Sequence, residues 1–87
     1  MDIQSQIVQA MDRVIAKTFL KDEAYIAENH QLRFKEDLSA GSMQYFPIIT
    51  VLEEEFDVNI DYHVFQMHSS IGDAIDFVLR EYNLQHG

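Results

Sequence analysis

From Ile3 to Leu20 the apolar residues Ile3, Ile7, Met11, Val14, Ile15 and Phe19 recur at three- and four-residue intervals, with Gln4, Gln6, Asp12, Arg13 and Lys17 on the other face. That period predicts one long amphipathic helix. Lys21 to Glu36 mixes charges with the apolar anchors Tyr25, Ile26, Leu32 and Phe34 but sustains no period, and it reads as a long connecting loop. His30 has no partner in this pattern and is expected on the surface. A second helical period covers Met43 to Phe56, placing Met43, Phe46, Ile49, Leu52 and Phe56 on the buried face and Glu53, Glu54 and Glu55 in solvent at the C-terminal end. Acids there oppose the helix dipole by ~0.3–1 kcal/mol each, so they need a reason other than local helix stability. Tyr62 to Met67 reads as a short helical turn against the core. Ser70, with Asp73 three residues later, opens the last helix in the manner of a capping box. Ile71, Ala74, Ile75, Val78 and Tyr82 form its buried stripe, and Asn83 to Gly87 are expected to fray.

The pattern therefore predicts an all-α fold in a single domain spanning residues 1–87, with three main helices, one short helix and a long loop between the first two. Pro47 refines the second helix. A proline in a helix interior costs about 3 kcal/mol, whereas in the first turn no intrahelical N–H bond is lost. The regular helix is thus expected to begin near Tyr45 to Pro47. Gly41 to Gln44 would then form an irregular turn that holds Ser42 outward on a mobile platform.

Composition narrows the function. The chain has 87 residues, 47% of them hydrophobic, with three Gly, one Pro and no Cys. A domain of this size buries roughly 60–70% of its unfolded surface, enough for one modest core. Without cysteine there is no disulfide and no thiolate metal site. No apolar run approaches ~18 residues, and the N-terminus has no basic segment leading into an apolar one. The reading is therefore a cytoplasmic, monomeric protein without export signal or membrane span. The net charge of −9 argues against binding to nucleic acid phosphates, which needs clustered Lys and Arg. No Lys or Arg occurs between Lys35 and Arg80, so the second half presents an acidic surface suited to basic partners or to solubility alone.

Catalytic patterns are missing. His63 and His68 lie five apart and no H-E-x-x-H occurs, while Ser42 sits in A-G-S-M-Q, not G-x-S-x-G. Asp57 to Asp61 begins like a calcium loop but has Tyr62 and His68 where Gly and Glu are needed. A helical domain this small leaves little room for a cleft of ~300 Å³. No enzyme activity, catalytic residue or metal site is read here.

One stretch does carry chemistry. In DLSAGSMQYFPIITVLEEEF, Asp37 to Phe56, small residues clear space around Ser42, whose hydroxyl falls at a helix start where backbone N–H groups and the dipole favour an attached phosphate. Helix capping is the simpler role for such a serine. The stretch resembles the phosphopantetheine-attachment region of acyl carrier proteins, D-L-G-x-D-S-L followed by a helix and L-E-E-E-F. Asp37, Leu38, Ala40, Ser42, Leu52 to Asp57 and Ile60 fall in register, and SSIGDAIDFV is similar to the family's T-T-V-x-x-A-I-D-Y-I. Ser39, Gly41 and Met43 stand where the family usually has Gly, Asp and Leu.

The resemblance implies an acyl-carrier-like bundle with 4'-phosphopantetheine covalently attached to Ser42. A magnesium-dependent phosphopantetheinyl transferase would attach it. Acyl-loading and acyl-processing enzymes with basic surfaces would then use the thioester it carries, in fatty acid, polyketide or other lipid metabolism. Partner contacts are expected at Met43, Gln44, Tyr45, Ile48, Glu53 and Glu54. Because Gln44 and Pro47 replace usual acids, recognition would be narrow and lean on apolar surface from Tyr45 and Ile48. Thr50 and His68 stand where the family is apolar and would make an acyl pocket more polar, unless His68 turns to water. The alternative is a degenerate, unmodified carrier fold that acts as an acidic adaptor.

Overall fold

Polar side chains start four of the helices by accepting backbone N–H bonds that the first turn leaves unpaired. Asp2 accepts from Ser5 at 2.7 Å, Asp22 from Ala24 at 2.9 Å, Asp61 from Val64 at 3.0 Å and Ser70 from Asp73 at 3.1 Å. They open α1 (Ile3–Phe19), α2 (Glu23–Ala27), α4 (Tyr62–Gln66) and α5 (Ile71–His86). The remaining helix, α3 (Tyr45–Phe56), follows directly on a 3-10 turn, Ser42–Gln44. The structure is a computed structural model and describes residues 2–87.

The fold is the expected all-α bundle. α1 packs on α2, α3 and α5, and Ile7, Met11 and Ile15 of α1 meet Ile48 and Leu52 of α3 and Ile71 and Val78 of α5 in a fully buried core. Among the described residues no helix is long and apolar enough to cross a membrane.

The connection between α1 and α3 departs from a plain loop. It contains α2, whose Ile26 is fully buried, and its main chain is fastened to the start of α5. Phe34 N–H donates to the Ser69 carbonyl at 2.9 Å, Ile71 N–H to the Leu32 carbonyl at 3.0 Å and Gly72 N–H to the His30 carbonyl at 2.9 Å.

Two charged or polar residues expected on the surface belong to the interior. Asp12 is 4% exposed, and its Oδ1 lies 2.6 Å from Nε2 of the half-buried His30. A buried carboxylate requires such a partner, and this one ties the loop to α1. The expected fraying at the C-terminus is also corrected. α5 continues to His86 because Gln85 accepts from Asn59 N–H at 2.8 Å and donates to the Asn59 carbonyl at 2.9 Å, while His86 Nε2 lies 2.7 Å from the Asp57 carbonyl.

Candidate functional site

Leu38 is buried and anchors the chain as it approaches Ser42. Just before it, Asp37 accepts the Arg33 N–H at 2.7 Å and its Nε at 3.4 Å. The backbone N–H and then the side chain of Arg33 hold the Asp37 carboxyl below its ordinary range. Ser39 then takes a left-handed conformation, φ 56. That conformation costs a residue with a Cβ roughly 1–2 kcal/mol.

The chain next turns tightly. Gly41 N–H donates to Gln44 Oε1 at 2.7 Å, and Gln44 N–H returns to the Gly41 carbonyl at 3.0 Å. Ser42 is exposed, and neither the turn nor α3 is capped by a side chain of the residue before it. The capping role is therefore not what Ser42 does. Gly41 has an ordinary φ of −87, and a Cβ on it would meet Gln44 Oε1 no closer than 3.8 Å.

α3 starts at Tyr45, so Pro47 occupies its third position, within the first turn as expected. The expected buried face of this helix is right at Ile49, Leu52 and Phe56, which are buried, and wrong at its start. Met43 is 76% exposed and Phe46 52%, whereas Tyr45 and Ile48 are 1% and 0% exposed. The expectation of a partner surface that includes Tyr45 and Ile48 is overturned by that burial. The reason is geometric: with 3.6 residues per turn, each three-residue step falls about 60° short of a full turn. A stripe stepped by threes from Met43 to Leu52 consequently slides to the opposite side, while Tyr45, Ile48, Ile49, Leu52 and Phe56 stay on one face.

The other expected contact residues divide in the same way. Gln44 closes the Ser42 turn. Glu53 accepts the Ile60 N–H at 2.9 Å, and Glu55 pairs with Arg13 of α1 at 2.9 Å. These two acids thus have work inside the fold despite the helix dipole, which leaves Glu54 exposed in solvent. No family model matches the chain, and no solved structure matches it.

Behind Ser42 the interior is filled by rings. Tyr45 lies 5.5 Å from Phe34 and 6.0 Å from Phe65, centroid to centroid, and Phe65 lies 6.4 Å from Phe77. Burial pushes the Tyr45 hydroxyl above its ordinary range, with Tyr62 and Glu36 adding to the effect. Among the described residues no pocket opens. Thr50 is exposed, and His68 stacks on Phe77 at 4.6 Å, half-buried. Neither makes the interior more polar, and His68 does not turn fully to water.

Two residues at this site escaped the pattern. Phe46 stacks on Tyr62 with centroids 4.4 Å apart and planes 20° from parallel, and the Tyr62 hydroxyl donates to the Ser42 carbonyl. Consistent use of a 3.6-residue period would have exposed Phe46. Nothing local marks Tyr62, which reaches Ser42 from twenty residues away.

Proposed function

We propose that the chain is an acyl carrier protein whose Ser42 receives 4'-phosphopantetheine from coenzyme A. The observation that carries this reading is the exposed Ser42 hydroxyl, set in a hydrogen-bonded turn immediately before α3, at the position matching the attachment serine of the family it resembles. In the transfer, Ser42 Oγ attacks the phosphorus bearing the pantetheine. An O–P ester bond forms, the phosphoanhydride bond breaks, adenosine 3',5'-bisphosphate leaves, and the hydroxyl proton passes to a base on the transferase. The arm's thiol then carries acyl groups as thioesters.

This chain supplies the nucleophilic hydroxyl, the turn that presents it and a docking face beside it. That face runs from Met43 and Phe46 to Glu54, about 12 Å further along the helix at 1.5 Å per residue. Apolar contact near Ser42 and a basic residue opposite Glu54 would fit a cytoplasmic transferase or acyl-processing enzyme. The pathway served would be one of fatty acid, polyketide or related lipid metabolism.

Intact-mass measurement after incubation with coenzyme A, magnesium and a broad-specificity transferase is expected to show one phosphopantetheinyl group, lost in Ser42→Ala. Gly41→Asp, for which there is room, is expected to speed the reaction by restoring the usual acid. An unmodified native chain, or a modified Ser42→Ala, would overturn the carrier reading. The second reading, an unmodified acidic adaptor, is favoured by the apolar surface of Met43 and Phe46, which a binding role uses without any arm.

A further inference from the structure

The Ser42 turn is closed by the two Gly41–Gln44 bonds and runs on into α3, while Ala40 N–H fastens the chain before it to the Phe34 carbonyl at 2.8 Å. α4 adds a hold on the turn from outside this segment. Tyr62, its first residue, donates its hydroxyl proton to the Ser42 carbonyl. The ring that delivers this hydroxyl is fixed on three sides: stacked on Phe46 at 4.4 Å, edge-on to Tyr45 at 6.4 Å and edge-on to His63 at 5.5 Å. Its backbone is fixed as well, because Asp61 caps α4 through Val64 N–H and the Phe65 ring is wedged against Phe34 and Tyr45. Tyrosine has only two side-chain torsions to restrict, so little freedom remains once the ring is packed.

We propose that Tyr62 is a positioning residue: it clamps the Ser42 turn to α4 and so sets the direction in which the Ser42 hydroxyl is presented. On this proposal the platform expected to be mobile is held instead, with the Tyr62 hydroxyl as its hydrogen-bonded link to α4. Packing and hold are separable at this residue. Tyr62→Phe keeps the stack on Phe46 and deletes only the hydrogen bond, whereas Tyr62→Ala deletes both.

The chemical consequence rests on the carrier reading; the geometric one does not, and the test separates them. Backbone 15N relaxation on the unmodified protein is expected to show lower order parameters at Ser42, Met43 and Gln44 in Tyr62→Phe, with Tm lowered by about 2–8 °C, the effect of losing one hydrogen bond. Tyr62→Ala, which also loses the stack on Phe46, is expected to lower Tm further. In transferase assays Tyr62→Phe is expected to reduce kcat about three- to tenfold, the range that one net hydrogen bond provides, with KM unchanged because Phe46 and Glu54 remain in place. Unchanged order parameters in Tyr62→Phe would overturn the clamp. A loosened turn with unchanged kcat would overturn the positioning role. A loosened turn in a protein whose native form is never modified would support the clamp and overturn the carrier reading alone.

Discussion

Asp12 and His30 show how one residue pair decides where a loop lies. Asp12 precedes the buried Ile15 by three positions and Ala16 by four, so the helical period puts it at the edge of the core. Its charge, not its spacing, made it read as a surface residue, and His30 then had no visible partner. Removing the imidazole strands a buried carboxylate, which costs about 3 kcal/mol. His30→Ala is therefore expected to destabilise the protein by that amount in urea unfolding, and Asp12→Ala/His30→Ala to be more stable than His30→Ala alone. A double variant less stable than His30→Ala would show that the pair is not what the carboxylate depends on. Asp37 gives a pH-dependent counterpart. Its folded pKa is depressed below 3.8, so the stability it contributes is present above that value and is lost as pH falls through the depressed one. Asp37→Ala should lower Tm at neutral pH, and the gap between the two proteins should close in acid; a gap constant with pH would contradict this.

At the level of elements, α1, α3 and α5 were legible because each repeats its apolar positions over three turns or more. α2 was not, since Glu23–Ala27 is shorter than any window that reveals a period. Of the four side-chain start signals only Ser70 was read, while Asp2, Asp22 and Asp61 went unread, and Pro47 correctly fixed the start of α3 because its constraint is steric. The face of α3 was misread at its start, where a three-residue step stood in place of the 3.6-residue period among Met43, Tyr45, Phe46, Ile48 and Ile49, all apolar and not separable by hydrophobicity alone. Mutation separates the two faces. Tyr45→Ala empties the centre of the ring cluster and is expected to cost about 3–5 kcal/mol, the range for deleting a buried aromatic side chain. Phe46→Ala, at a half-exposed position, is expected to cost under about 1 kcal/mol while slowing modification of Ser42. Equal losses in thermal unfolding would refute the assigned register.

Across the whole molecule, the all-α fold followed from pattern and composition, while the links between distant segments did not, because they depend on main-chain groups and on side chains far apart in sequence. The tie between the α1–α3 connection and α5 is the plainest case. His30, Leu32 and Phe34 use their own carbonyl and N–H groups to reach Ser69, Ile71 and Gly72, and Arg33 pairs with Ser70 as an isolated bridge. Within the connection, the Arg33 carbonyl accepts N–H groups of both Asp37 and Leu38, and Ala40 N–H closes on the Phe34 carbonyl at 2.8 Å. A protease needs roughly extended, detachable backbone around the bond it cuts, and exposed side chains at Arg33 and Lys35 do not provide that. Lys21 comes nearer to it: one bond, from its N–H to the Ala16 carbonyl at 2.8 Å, holds its backbone, and the chain is extended at Asp22 between the end of α1 and the start of α2. Brief trypsin digestion of the native protein should therefore nick first after Lys21, giving fragments 1–21 and 22–87 by mass; initial cleavage after Arg33 or Lys35 would mean that this connection opens without the rest of the fold.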